Sequence, residues 1–441
     1  MINCSARWSP VASTEALGVG PRGASPLGDV AECSQERRAG RHSAASRLPA
    51  TVVLSAVLLT GGLAACKPAD SSLTQPAHST AAPAGNQAPI QTPAAPTATG
   101  STLSAGSVVS SPAATATAQA SAPAAASALP ALVAGLTGIP VPPAPLRQVG
   151  VSTTQQLTAA LANARPGDLI QLADGQYSGH FVANRAATAK APITVRGSRN
   201  AVLDGGSINS GYVFHLDNAD YWRLEGFTVQ DGQKGVMTDQ TSGAVITGLL
   251  VRNIGDEGIH LRNFSTDNIV AGSTVSGTGR KDPGFGEGIY IGSAESNWAK
   301  FSGGKPDNSD RNQIIGNAIN GVTAEAVDIK EATTGGVLRS NTFDGSAITG
   351  DNYADSWVDV KGNNWLIEGN VGVNSPKDGI QTHVVVDGWG MGNIITGNKL
   401  DVRGPGFGVS VDKPDKTKNT VSCTNTVTAA ASGLFNVPCA R

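Results

Sequence analysis

The 441-residue sequence predicts an all-β chain, a single-stranded right-handed parallel β-helix over residues 147–441 with an N-terminal capping helix, preceded by a signal peptide and a disordered linker. Three observations predict it: two strand patterns that alternate along the chain, an asparagine that recurs at one phase of the repeat, and a composition of 54 Gly, 15% charged and 5% aromatic residues. Such a composition suits many short strands joined by tight bends and leaves little material for long helices.

The N-terminal third has no means of building a core. An apolar run from Pro49 to Cys66 follows Arg37, Arg38, Arg41 and Arg47 and ends in small residues, the pattern of a signal peptide. Leu63-Ala64-Ala65-Cys66 resembles a bacterial lipobox, which implies lipidation of Cys66 and a mature chain that starts there. The upstream segment and signal peptide thus take residues 1–66. Residues 1–46 exceed an ordinary basic leader, so translation could start after Met1. Residues 67–146 are Ala, Pro, Ser and Thr with almost no large apolar side chain, and cannot offset the entropy of ordering. They read as a disordered tether for an envelope lipoprotein or secreted protein, with membrane contact only through a lipid at Cys66.

The repeat sets the fold of the remainder. One pattern runs an apolar strand into a turn, as at Trp222–Gly226, Val245–Gly248, Ile269–Gly272, Gln313–Asn317, Val337–Asn341, Trp365–Asn370 and Ile394–Asn398. The other has period two, as at Val236–Asp239, Ile259–Arg262, Ile289–Gly292, Val327–Lys330, Val358–Lys361, Ile380–His383 and Val409–Asp412. Each round takes roughly 22 to 44 residues, the length of one solenoid coil with or without an inserted loop. Asn317, Asn341, Asn370 and Asn398 follow the first strand at a fixed phase, where an Asn in a left-handed bend can bond to its counterpart one coil away. Solenoid ends need covers. Residues 154–164 have helical spacing after Ser152 and Thr153 and stop at Pro166-Gly167, which places the N-terminal lid. Cys423 and Cys439 could staple the last coil of an exported protein.

In the second pattern Val327 and Ile329 face the core, so Asp328 and Lys330 face solvent, and the same holds for Asp359 and Lys361. Coils about 4.8 Å apart bring the four into one patch. The columns extend to Tyr290 and Gln381 beside the aspartates, to His383 beside the lysines, and two coils upstream to His260 and Arg262. Glu257, Glu287, Glu325 and Asp378 precede these strands, with Asp355 one place out of phase, and concentrate acid along one edge. Like charges at that spacing repel unless a cation intervenes. As a solvated salt-bridge ladder the patch would add little stability. Long insertions at 279–286, 293–310, 345–356 and 383–392 flank the face and could wall a groove. Trp298, Trp357, Trp389, Tyr290 and Tyr353 lie in or beside it, and aromatic rings stack on sugars; Trp357 and Trp389 could equally be core or loop residues.

Residues 148–439 resemble the right-handed parallel β-helix polysaccharide lyases of the pectate lyase and the alginate and chondroitin lyase types. Glu325-Ala-Val-Asp328-Ile-Lys330, followed by Val337-Leu-Arg-Ser-Asn341-Thr-Phe343, is similar to their acid-then-lysine segment. The resemblance implies a metal-assisted lyase that cleaves an acidic, uronate-containing polysaccharide by β-elimination. It implies Ca²⁺ held by carboxylates and a lysine or arginine base, which puts metal ligands at Glu325, Asp328, Asp359 and Glu287. Catalytic roles would fall to Lys330, Lys361, His383 and Arg262, and substrate contacts to Tyr290, Trp357, Trp389, Gln381 and His260. In the alginate and chondroitin group the carboxylates are one residue apart and an arginine stands on the next coil; here that coil presents Lys361. A cluster of oxygen ligands suits Ca²⁺, and two lysines one coil apart would lower each other's pKa toward the range of a base.

Two other functions fit the residues. A glycoside hydrolase could pair Asp328 with Asp359, or Glu325 with Asp355. A non-catalytic solenoid could bind a surface glycan. Net charge of -2 excludes the basic footprint of a nucleic-acid binder. The chain reads as a monomer.

Overall fold

The computed structural model describes residues 138–441. The signal peptide, Cys66 and the tether up to residue 137 lie outside the described residues. Among those described, no helix is long and apolar enough to cross a membrane.

The chain is a parallel β-helix of three sheets, one of 11 strands and two of 10. The two repeating patterns fall on different sheets. Strands such as Val245–Thr247 and Ile269–Ala271 form the first, and strands such as Ile259–Arg262 and Val327–Ile329 form the second. A third sheet of mostly three-residue strands, such as Leu250–Arg252 and Thr274–Ser276, completes each coil. Alternation sends Ile246, Val251, Ile259 and Leu261 and their counterparts into one continuous core.

The asparagines do form a ladder. Asn317, Asn341, Asn370 and Asn398 are buried, and each donates its side-chain amide to the next at 2.9–3.0 Å, ending on Asn425. The left-handed position is not theirs, however. It belongs to the residue before each, Gly316, Ser340, Gly369 and Gly397, with φ between 57° and 65°. The asparagine keeps ordinary backbone geometry and spends its amide on the neighbouring coil.

Thr154–Ala162 is a helix whose N-cap Thr153 accepts from the Gln156 amide at 3.2 Å. It packs against the first strands and buries Leu157 and Leu161 in the core. At the other end Cys423 and Cys439 form a disulfide. Residues just before 147 also lie against the solenoid. The Pro-rich stretch 140–145 runs outside the first sheet, and Ile139 packs against Val245, Ile269, Ala271 and Ile315, a small apolar cluster on the outer face of that sheet.

Candidate active site

The second sheet supplies the floor. In register along it stand His260, Tyr290, Asp328, Asp359 and Gln381. Two residues on, backbone bonds from Lys330 to Ile291, Lys361 to Ile329 and His383 to Val360 continue the pairing and align the basic column. Upstream of the strands, Gly258 donates to the Glu287 carbonyl and Gly288 to that of Glu325, which stacks Glu257, Glu287 and Glu325. Three columns of functional side chains thus leave the core side by side.

Most of them are shielded from open solvent, with His383 the exception. Asp328 is 2% exposed and Lys361 9%, because the insertions close over them. The turn at Pro283–Phe285 and the loop at Asp351–Tyr353 brace each other, with the Asn352 side chain donating to the Gly284 carbonyl at 3.0 Å. Between these walls lies a cavity of about 540 Å³ lined by Glu287, Tyr290, Glu325, Asp328, Lys330, Asp359, Lys361, Gln381 and His383.

Burial sharpens every charge inside it. Asp328 accepts from Lys330 at 2.7 Å and from Lys361 at 2.9 Å, and Lys361 also holds Asp359. Burial pushes Asp328 upward, but the two lysines outweigh it and hold it below the usual carboxylate range. Burial likewise works against the ammonium forms of Lys330 and Lys361, yet Asp328 and Asp359 raise both above the usual lysine value. The expectation that the lysines depress each other is therefore corrected: interposed carboxylates dominate their mutual repulsion.

In the acidic column Glu257 is paired with Lys234, but Glu287 and Glu325 have no such counterion. Burial, then Asp328 and Asp359, push Glu325 up to about 8. Burial, then Glu257, Asp328 and Glu325, push Glu287 well above the usual range. Glu287, Glu325 and Asp328 each offer an oxygen within 4.8 Å of the others, no farther apart than two oxygens on opposite sides of one ion at about 2.4 Å. Glu287 Oε2 is buried with no protein partner. These residues fit a hard divalent cation such as Ca²⁺. Asp359 stands outside this triad, committed to Lys361.

Tyr290 is 8% exposed, and burial, then Asp328 and Glu287, raise its phenol well above 10, so it stays protonated. Gln381 donates to Asp355 at 2.6 Å and Asp378 at 2.9 Å, and its carbonyl lies 2.7 Å from His383 Nε2. Those bonds fix the far end of the floor.

Three expected site residues fall elsewhere. Trp357 is fully buried in the core, its indole donating to the Val373 and Asn374 carbonyls. Glycines at 372 and 379 make room for it, since a Cβ at 372 would lie 2.5 Å from the ring. Trp389 is half-buried in its loop and lines neither cavity on this face. Arg262 is two rungs upstream, fixed by Asp239 at 2.9 Å and stacked 3.9 Å from the Phe301 ring. There it cannot serve as a base beside Lys330. Phe285 lines the site and Phe301 a neighbouring cavity on the same face, although no periodic pattern marks them, because they sit in insertions.

No protein-family model matches the chain, and no curated protein matches it. Among solved structures it is similar to the alginate lyase of Paenibacillus sp. str. FPU-7, at 38% identity and TM-score 0.61, over 66% of this chain and 99% of that one. It is also similar to pectate lyase Pel9A, at 16% identity and TM-score 0.47, over 67% of this chain and 82% of that one.

Proposed function

The chain belongs to the right-handed parallel β-helix polysaccharide lyase-like family, and from that premise we propose that it is a cation-assisted lyase that cleaves a uronate-containing polysaccharide by β-elimination. One observation carries the reading: the Glu287, Glu325 and Asp328 triad shares Asp328 with the two-lysine cluster. A ligand set for a cation and a candidate base thus meet on one carboxylate. The 38% identity to an alginate lyase over nearly all of that enzyme supports the substrate class.

Glu287, Glu325 and Asp328 would hold a cation such as Ca²⁺, which would supply positive charge against the uronate carboxylate and so make the neighbouring C–H more acidic. Lys330 takes that proton. The C–H electrons form the new carbon–carbon double bond, and the glycosidic C–O bond breaks. Lys330 must be neutral for this, and a cation that drew Asp328 toward it would weaken the interaction that keeps both lysines charged. Lys361 stays paired with Asp359. The Tyr290 phenol, protonated and on the same floor, gives its proton to the leaving oxygen. His383 and Gln381 position the chain at the open end. A hydrolase that pairs Asp328 with Asp359 is less consistent with the geometry, because Lys361 is bonded to both.

Export with a lipid at Cys66 is part of the same reading. The Leu63–Cys66 segment motivates it, and the Cys423–Cys439 disulfide is in keeping with an oxidising compartment.

Purified protein incubated with a panel of uronate polysaccharides tests the proposal. The expected result is an unsaturated product absorbing in the near ultraviolet, lost with chelator and in Lys330→Ala. No absorbance across the panel would sink the lyase, and new reducing ends without absorbance would establish a hydrolase instead.

A further inference from the structure

The first sheet, which takes no part in the cavity, carries a row of apolar side chains on its outward face. In register along it stand Val245, Ile269, Gln313, Val337, Leu366 and Ile394. Strand alternation turns these positions away from the core, and an apolar row on an outward face calls for a cover. The cover is uneven. Val245 and Ile269 are 5% and 6% exposed beneath Ile139, whereas Val337 and Leu366 are part-exposed and Ile394 is 46% exposed.

The stretch that covers the row has a direction. Leu146 donates its amide to the Gly167 carbonyl at 2.8 Å, beside the first coils. Pro140–Pro143 share a cavity wall with Arg223 and Val245, and Ile139 packs on Val245, Ile269, Ala271 and Ile315. Traced toward the N-terminus, the chain therefore climbs the sheet strand by strand, and Ile139 stands where the cover gives out. From Ile315 the strands Val337–Arg339, Leu366–Glu368 and Ile394–Thr396 follow in order. At about 4.8 Å a strand that is about 14 Å, which an extended chain spans in about four or five residues.

The sequence just upstream supplies what such a cover needs. Residues 110–128 contain no large apolar side chain, yet Leu129, Leu132, Val133 and Leu136 follow within eight positions. A spacer has no use for them, since apolar side chains held in water gain nothing there. Their place in the sequence matches the distance: Leu136 to Leu132 are the residues that a chain continuing past Ile139 brings over the last three strands.

We propose that the uncovered part of this face is a docking surface for the chain's own Leu129–Leu136 segment, with Leu132, Val133 and Leu136 set against Val337, Leu366 and Ile394. The inference is independent of the lyase reading. It leads the long N-terminal stretch away along the first sheet, so that it leaves the folded unit without crossing the cavity over the second. Thiol labelling tests it, in the full chain carrying Leu366→Cys, with the modified peptide identified by mass so that the other cysteines do not interfere. Adding Leu132→Asp and Leu136→Asp should speed labelling at position 366 about tenfold, as for a local cover that opens. Val371→Cys, on the third sheet where Val371 is 43% exposed, should label equally fast with and without them. The two aspartates alone, in a chain with no added cysteine, should lower the thermal midpoint by about 2–4 °C. An unchanged rate at 366, a change of equal size at 371, or an unchanged midpoint would overturn the assignment. Protection of 366 that grows with protein concentration and survives both aspartates would give the face to a second copy of the chain and overturn it as well.

Discussion

Lys361 reaches back one rung to Asp328, its Nζ 2.9 Å from Oδ1, although its own strand neighbour Asp359 is already bound to it. Asp328 is thus the shared acceptor of two buried ammonium groups. Removing it leaves Lys330 without its carboxylate partner and Lys361 with Asp359 alone, and breaking a buried pair costs about 3–5 kcal/mol. Asp328→Ala should lower the thermal midpoint strongly and abolish product absorbance. Lys330→Ala should cost at least about 100-fold in rate, the scale of a lost general base. Wild-type turnover in either variant would remove the cluster from the reaction.

The acidic triad makes stability depend on pH in a definite direction. Glu325 sits at about 8 when folded against an ordinary glutamate value of 4.5, raised by burial and by Asp328 and Asp359. A carboxyl with a raised folded pKa binds more protons in the folded chain, so its contribution is intact below about 4.5 and is lost as pH climbs through about 8. Chelated protein should therefore melt progressively lower across that window. Added Ca²⁺ should reverse the loss, most at the alkaline end where the ligands ionise. Thermal melts with chelator and with Ca²⁺ across the window check this, and a calcium effect that is absent at every pH would sink the triad as a cation site.

How much of this was legible in the sequence depends on how many core residues an element carries. The strands around Ile259, Val327 and Val358 place two apolar residues two positions apart, so their period and their outward Asp and Lys could be read directly. Third-sheet strands such as Leu250–Arg252 send only Val251 inward, and one apolar residue has no period to detect. Trp357 misled for the opposite reason. It neighbours a period-two strand, but glycines at 372 and 379 on adjacent segments open a core space that only the fold reveals. The cover over the lysines was equally hidden, since Asn352 and Gly284 meet across 68 positions of sequence.

The asparagine ladder should contribute cooperatively to stability. Asn370 accepts at Oδ1 from the Asn341 backbone and side chain and donates to the Leu338 carbonyl and to Asn398, all at 2.9 Å and in full burial. Asn370→Ala strands these partners, each worth about 1–3 kcal/mol when left unsatisfied. The expected loss is about 3 kcal/mol or more in denaturant unfolding. A loss under about 0.5 kcal/mol, the scale of an ordinary surface change, would show the ladder to be incidental.

The stretch before residue 147 bears on where the folded unit begins. Val245, Ile269 and Ile315 lie on the outer face of the first sheet, where strand alternation would normally expose them, yet each is at most 6% exposed with Ile139 packed on them. A chain that begins at Arg147 loses that cover. Burying one such side chain is worth about 1.5–3 kcal/mol, so this shorter chain should melt below one that begins at Gly138, and Ile139→Asp in the full chain should reproduce most of the difference. Equal melting of the two chains would mean that Pro140–Pro145 rests on the wall without stabilising it.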